Sequence, residues 1–532
     1  MSRVTVDQFY GIEIDEFPAR IAEVALWMMD HITNNEVNLA FGLNYANIPL
    51  KGSPHILHGD ALEADWAAHL PPEKCTYVFG NPPFVGKKEQ SPKQKGQVRT
   101  IFGNTPRAGS LDYVAGWFEL AARFVEANPR IRFAFVATNS ITQGEQVAPL
   151  WNRMFERYGL EITFAHRTFE WTSEARGKAH VHVVIVGMAK IGTVTKFYIF
   201  NYGSQVGEPT RMDVRHIGPT LDEGRNISVL RSENAISPRP QVQKGSEATD
   251  FGHLTISESE VETIKQSAGF NEKWLRLFLG GDEYINSIKR YCLWLVSADP
   301  SEVRRCAAVV DRLKKVAEAR AASPKARTRE WSRFPSLFSE NRQPRSRYLL
   351  IPKVSSQNRD YIPIGFCDPE VIVSGSAQYV QGASLFDFGL LTSNMHMAWM
   401  RAVGGRTKSD YQYSNSLVYN TFPWPEATQA QRAKIEKLAQ AVLDARAEHP
   451  NASLADLYDP DTMPVDLRKA HAALDKAIDK LYRPTEFDSD RDRVEHLFGR
   501  YEALVSPMLR NAAAPRKRAP RSKAALGAQK DR

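Results

Sequence analysis

The chain has 532 residues, of which 42% are apolar and 24% charged, with a formal net charge of +8. That length calls for two or three folded units, and the composition is that of soluble globular proteins able to bury large cores. The charge excess favours a polyanionic partner such as nucleic acid, while the longest apolar run, Val181 to Ala189, is far too short to span a bilayer.

From residue 4 to about 200, short β-rich runs alternate with helical periods, the pattern of an α/β sheet protein. Strands are predicted at Gln8 to Ile14, Thr76 to Gly80, Arg132 to Thr138, Glu161 to His166 and His180 to Met188. Helices are predicted between them at Ala19 to His31, Leu111 to Ala127 and Gln146 to Tyr158. From 201 to 425 short strands, turns and aromatics dominate, and the expectation is one long basic helix from Ser301 to Ala322 that continues into Lys325, Arg327, Arg329 and Arg333. Phe422-Pro423-Trp424-Pro425 closes this segment, because its prolines stop a helix or strand. Beyond it, Gln429 to His449, Val465 to Tyr482 and Ser489 to Val505 read as amphipathic helices. The Ala/Pro/Arg/Lys-rich stretch from Asn511 to Arg532 is expected to be disordered. The predicted units are thus 1–200, 201–425, 426–510 and the tail 511–532.

Cys75, Cys292, Cys306 and Cys367 lie far apart, without the paired spacing of a zinc site or the density of a disulfide scaffold. They read as free thiols of a cytoplasmic protein, and no metal site is expected. The acidic N-terminus, with Asp7, Glu13, Asp15 and Glu16, does not read as a secretion leader.

Asn81-Pro82-Pro83-Phe84 follows the strand predicted at Thr76 to Gly80, at the carboxyl edge of the sheet, where open α/β folds bind ligands. The plain alternative is a proline-stiffened turn; average residue usage produces such a tetrapeptide in roughly one chain of this length in a few hundred. Its chemistry suits an exocyclic base amine, whose lone pair is delocalised into the ring. An Asn oxygen and a backbone carbonyl fixed by the prolines can accept its two N–H bonds and favour the pyramidal nitrogen that attacks a sulfonium methyl. Phe84 would stack on a base flipped out of its duplex. Upstream, Gly11-Ile12-Glu13-Ile14-Asp15 ends a strand with a carboxylate in the position that binds ribose hydroxyls, and His58-Gly59-Asp60-Ala61 offers a second. Each alone could be a solvated loop acid; their order ahead of Asn81 favours the cofactor reading.

The series Glu13, Asp60, Asn81-Pro82-Pro83-Phe84 resembles motifs II, III and IV of class I, S-adenosylmethionine-dependent DNA amino-methyltransferases, in the form used by the adenine-N6 branch. Leu111-Asp112-Tyr113-Val114, Ala137 to Gln146, Gly177 to Val184, Ser393 to Trp399 and Lys408-Ser409-Asp410-Tyr411 extend the resemblance to the large methylases related to type IIL restriction-modification enzymes. It implies a Rossmann-like methyltransferase sheet, an α+β target-recognition domain and C-terminal helices. It implies S-adenosylmethionine as cofactor, with Glu13 on the ribose, Ile14 against the adenine and Asp60 on the adenine amine. It further implies double-stranded DNA as partner, with Asn81, Pro82, Pro83 and Phe84 around the target base.

One departure stands out. The family's glycine-rich motif I precedes Glu13, and only twelve residues do so here, with no glycine before Gly11. The sheet is therefore expected to be N-terminally truncated and the chain to be part of a longer or split enzyme. An upstream chain supplying motif I is the implied partner, and the polypeptide alone is expected to bind S-adenosylmethionine poorly.

Lys87, Lys88, Lys93, Lys95, Arg99 and Arg107 are read as a mobile basic loop beside the site, suited to phosphate contact. Lys289-Arg290-Tyr291, Arg304, Arg305, Lys314, Lys315, Arg342, Arg345 and Arg347 are the candidate DNA-facing cations of the recognition region. His166, His180 and His182 lack a third ligand and read as ordinary strand histidines. Trp171 lies where related enzymes place residues near an extruded base. Two alternatives stand beside the DNA-methyltransferase reading. One is a protein-glutamine methyltransferase, which shares Asn-Pro-Pro-aromatic; the other is a catalytically incomplete DNA-binding remnant or specificity subunit.

Overall fold

The structure, a computed structural model, describes residues 4–42, 52–171, 181–203, 207–407 and 409–513. His180 and Lys408 lie outside the described residues, as does the tail from residue 514.

The first unit carries a parallel pair, β1 (Tyr10–Glu13) and β2 (His55–His58), in the register Tyr10↔His55 to Glu13↔His58. The strand expected from Gln8 is shorter, because Val6–Gln8 form a 3-10 turn closed by Thr5. Between the two strands in sequence, α1 (Glu16–Phe41) outruns its predicted limits at both ends. A second, six-stranded sheet follows. It is built from β3 (Tyr77–Gly80), β4 (Arg132–Thr138), β5 (Leu160–Trp171), β6 (Val181–Lys190), β7 (Phe197–Asn201) and β8 (Thr210–Val214), in the order β3-β4-β6-β5-β7-β8. β3 and β4 run parallel, whereas β6 is antiparallel to both β4 and β5. Such doubly covered strands need apolar residues in succession, and β4 and β6 supply them. Phe133, Phe135 and Ala137 of β4 and Val184, Val186 and Met188 of β6 are buried. They pack under α2 (Pro92–Phe102), α3 (Ala115–Ala127) and α4 (Val147–Asn152), with Phe118 and Trp151 edge-on to one another. On the opposite face of the sheet Gly187 makes room for Phe164, whose ring fills the space where a side chain would begin, 2.0 Å from the ideal Cβ.

Among the described residues β1 pairs only with β2, and β3 only with β4, so each keeps one open parallel edge. Tyr77 and Phe79 leave the same face of β3 and are exposed, Phe79 by 73%. The same is true of α1. Phe17, Ile21, Val24, Met28 and Ile32 recur at helical spacing, the signature of a face made for burial, yet all five are exposed, Phe17 by 76%, and Ala19 is the helix's buried residue.

The recognition region holds two small sheets of four strands. One contains β9 (Val242–Lys244), β13 (Tyr348–Pro352), β15 (Gly365–Cys367) and β17 (Ala377–Gln381); the other contains β10 (Thr255–Ser257), which leads into α5 (Glu258–Lys265), with β11 (Leu275–Leu279), β12 (Arg290–Leu293) and β16 (Ile372–Val373), while β14 (Val354–Ser355) pairs with residues 411–412. The long basic helix expected from Ser301 to Ala322 is two helices, α6 (Pro300–Arg305) and α7 (Ala307–Ala321). They break at Cys306, fully buried in an extended conformation (φ −95°, ψ 97°), where Gly269 approaches the Arg305 carbonyl. The continuation also fails: α8 (Ala326–Glu330) is a separate short helix.

After α9 (Leu385–Leu391) and α10 (Asn394–Val403), three helices close the chain: α11 (Gln429–Ala447), α12 (Val465–Tyr482) and α13 (Asp490–Ala513). The helix α13 takes in residues 511–513, which were expected to be disordered. The C-terminal helices share one core with the recognition region, in which Leu349, Phe386, Trp399 and Phe422 meet Ile435, Leu474 and Leu497.

Candidate active site

Three strand ends converge on the candidate site. β3 ends at Gly80, and the next four residues separate into two environments: Asn81 and Pro83 are exposed, Pro82 is buried and Phe84 half-buried. A buried proline beside an exposed amide holds the Asn81 side chain outward on a stiff backbone, since the proline ring fixes φ. Glu13 ends β1 and Ile14 follows it, 58% exposed. The Glu13 carbonyl accepts from Gly59 N–H at 2.8 Å, which sets Asp60, just past β2, beside it. The structure thus brings Glu13 and Asp60 together at one edge of the two-stranded sheet and puts Asn81 at the corresponding edge of the six-stranded one.

Asp60 is well supplied with partners. Leu62 N–H donates to Oδ1 at 3.1 Å, while Gln97 Nε2 at 2.8 Å and Lys93 Nζ at 3.2 Å donate to Oδ2. Burial alone would raise its pKa, but these donors outweigh it and hold the carboxyl below its ordinary value. Lys93 and Gln97 belong to α2, so the middle of the run expected as a mobile basic loop is a helix, with Lys87 and Lys88 in the turn before it and Arg107 past its end. Its start carries signals that the sequence reading passed over. Ser91 accepts from Gln94 N–H, Gln94 returns the bond to Ser91, and Pro92 takes the first turn, where a missing N–H costs nothing. Lys93 is committed to Asp60 and Glu63, leaving Lys87, Lys88, Lys95, Arg99 and Arg107 as the exposed cations of this stretch.

Between the strand ends lies a dipeptide to which the sequence reading assigned no role. Asp112 and Tyr113 are each 5% exposed. Tyr113 N–H donates to the Val85 carbonyl at 3.0 Å, and its hydroxyl donates to Gln97 Oε1 at 2.6 Å. Burial first, and then the Asp60 charge, push that hydroxyl up to about 12. Asp112 Oδ2 accepts from Thr138 Oγ1, the last residue of β4, at 2.8 Å and from Ser140 Oγ just past it, while the Asp112 N–H donates to Gln146 Oε1 at 2.8 Å. Two residues therefore tie the loops after β2, β3 and β4. A lone acid in the apolar run Leu111 to Phe118 was the available signal.

The turn after β4 also meets the recognition region. Gly144 has φ +60°, and a side chain there would sit 3.0 Å from the Gly405 Cα. A polar crevice of about 330 Å³ opens at this junction, lined among others by Asn139, Gln143, His182, Gln357 and Arg406. His166 is occupied elsewhere, stacked on Phe200 with ring centroids 4.2 Å apart and its Nδ1 2.9 Å from the Tyr202 hydroxyl. Trp171 ends β5, 38% exposed and tilted against Phe169. Of the candidate DNA-facing cations, Lys289, Arg290, Lys315 and Arg342 are each paired with a carboxylate. Arg304, Arg305, Lys314 and Arg345 are exposed.

Three domain models match the chain in succession: the MmeI DNA-methyltransferase domain over residues 1–201, the MmeI target recognition domain over 223–426 and the MmeI C-terminal domain over 427–509. DNA methyltransferase A of Bacillus subtilis (strain 168) is 35% identical over 505 residues, which cover 94% of this chain and 56% of that protein. The structure of the type IIL restriction-modification enzyme MmeI in complex with DNA is similar with a TM-score of 0.89 at 46% identity, over 95% of this chain and 67% of that one. The chain thus spans little more than half the length of the curated relative it matches.

Proposed function

The chain belongs to the MmeI family, and from that premise we propose that it is the methyl-transferring and target-recognising part of a site-specific DNA adenine-N6 methyltransferase. The observation that carries the reading is Asn81, an exposed amide on a proline-stiffened turn at the carboxyl end of a parallel strand. Asn81 Oδ1 and the Pro82 carbonyl accept the two N–H bonds of the target amine and draw its lone pair out of conjugation. Phe84 supplies an aromatic face for the flipped base, replacing part of the stacking lost when the base leaves the duplex. No strong general base is needed, because the amine proton becomes acidic only as the N–C bond forms. The recognition region reads the surrounding duplex, and the exposed cations after Phe84 neutralise phosphates.

Bound S-adenosylmethionine supplies the electrophilic methyl. Glu13 would hold the ribose hydroxyls, Ile14 would cover the adenine, and Asp60 would accept from the adenine amine. The residues fit that group: Ile14 is an exposed apolar side chain next to a strand-end carboxylate, and Asp60 Oδ1 holds one donor where an oxygen can accept two. A further polypeptide segment completes the site, supplying the glycine-rich motif I and a strand for the open edges of β1 and β3. Those edges and the uncovered apolar stripe of α1 support it.

The test is single-molecule sequencing of DNA from cells expressing the whole locus. N6-methyladenine within a fixed sequence is expected, and modified cytosine would overturn the assignment. A second reading, a DNA-binding specificity component without turnover of its own, draws on the same open edges. Calorimetry separates the two: this chain alone should bind S-adenosylmethionine more weakly than micromolar, and the motif I segment should restore tight binding. Micromolar binding by the isolated chain would remove the need for that segment.

A further inference from the structure

We propose that Asp112 is a positioning residue for the base-binding loop, setting the place of Asn81 and Phe84 through the backbone that follows them. This rests on the reading of Asn81 to Phe84 as the base site.

A four-residue turn held only by β3 would be free to hinge at Val85-Gly86, since glycine restrains its neighbours least. Three bonds restrain it from the far side. Tyr113 N–H holds the Val85 carbonyl at 3.0 Å, while Gln90 Nε2 bridges Val85 and Leu111 by donating to both carbonyls, at 3.4 and 3.0 Å. All of these depend on where residues 111–113 sit, and that segment is an irregular approach to α3 with no ladder of its own. The Asp112 carboxylate fixes it. Its Oδ2 takes hydrogen bonds from Thr138 and Ser140, which the six-stranded sheet holds through β4. Its Oδ1 faces Gly86, 3.9 Å from where a side chain at that glycine would begin. Burying a polar carboxyl to this degree is costly unless hydrogen-bond donors meet it, and Thr138 and Ser140 supply them. The Asp112 N–H is bonded at the same time to Gln146, two residues past the Gly144 contact with Gly405. The loop that presents the acceptors to the base is therefore braced from β4 and from the turn that meets the recognition region.

An acceptor displaced by about 1 Å in a methyl transfer loses rate on the order of 100-fold without losing substrate. Two measurements follow. On this chain as it stands, Asp112→Ala should speed tryptic cleavage after Lys87 and Lys88, both exposed just past Gly86, by several fold, with cleavage elsewhere unchanged. In the assembled enzyme it should lower kcat by about 10- to 100-fold with little change in KM for DNA or cofactor, the signature of an interaction realised in the transition state. Asp112→Asn, which retains an acceptor for one hydroxyl, should recover most of both effects. Paired Thr138→Val and Ser140→Ala, which remove the donors and leave the carboxylate, should reproduce them. Unchanged cleavage at Lys87 and Lys88, or a defect in KM alone, would overturn the proposal. Absence of adenine methylation by the wild-type assembly would instead strike the base-site reading on which it rests.

Discussion

Asn81 shows its amide to solvent while its neighbour Pro82 is buried, and this contrast makes the residue testable. Asn81→Ala removes an acceptor without touching the core, so the chain should fold and bind DNA as before. In the assembled enzyme methyl transfer should fall by roughly 100- to 1,000-fold, the loss seen when one preorganised partner is removed from a reacting group; turnover of labelled S-adenosylmethionine measures it, and an unchanged rate would end the assignment. Arg320 presents the opposite situation, a charge wholly out of water. It is 0% exposed, and its five N–H groups donate to the carbonyls of Ala248, Thr249, Trp331, Phe334 and Leu337 at 2.7 to 3.1 Å. It staples the turn before β10 to the one after α7. Arg320→Met strands five acceptors and should cost about 3–5 kcal/mol, read as a shift in the urea unfolding midpoint; a shift equivalent to less than about 1 kcal/mol would mean that water replaces the arginine.

At the scale of elements, the sequence told most where burial follows a period. β4 was predicted with its observed ends, and α12 likewise, since the alternation of Phe133, Phe135 and Ala137 and the spacing of Leu467, Leu474 and Ile478 belong to one structure each. It told least where packing overrides the period. The α6–α7 break at Cys306 depends on a loop from residue 269, and α2 was hidden by Gly96 and a polar composition although its cap was visible. The helix α1 offers a prediction of its own. Because Val24 and Met28 are exposed, Val24→Glu with Met28→Glu should change the chain's own stability by no more than about 0.5 kcal/mol. The same pair should abolish association with the motif I segment, because a charge would be buried against it. Equal association of variant and parent, measured by calorimetry, would show that the stripe is not where that segment docks.

On the scale of the molecule, the shared core of recognition region and C-terminal helices buries titratable groups that set its pH response. Burial pushes His396 down to about 3 and His471 well below its ordinary value, so both stay neutral when folded but protonate on unfolding below about pH 6.5. Each therefore withdraws stability as pH falls through that range. Asp475 has the opposite sign. Burial pushes it up to about 7 despite donors at Asn394 and Tyr361, so the folded chain keeps a proton that the unfolded chain releases above pH 4. Its contribution is present in acid and lost as pH rises towards 7. Between about pH 4 and 6.5, these two histidines against this one aspartate together contribute a slope near 1.4 kcal/mol per pH unit, with stability rising with pH. Asp475→Asn removes the opposing member and should roughly double that slope in unfolding experiments; a shallower profile would refute the balance.

By itself the sequence determined what depends on neighbours along the chain. The tetrapeptide at Asn81 and the strand before it rest on residues a few positions apart, where covalent geometry and periodicity act directly, and the family resemblance rests on the linear order of such short motifs along the chain. Tertiary structure alone decided what depends on residues that meet from far apart. It placed Lys93 and Gln97 on Asp60, made Asp112 and Tyr113 the tie between three strand ends, and left one edge each of β1 and β3 and the apolar stripe of α1 uncovered among the described residues. A hydrogen bond between Asp112 and Thr138 spans 26 positions, and no local period encodes it. It exists because the sheet holds β4 where the carboxylate, already out of water, can find its donors.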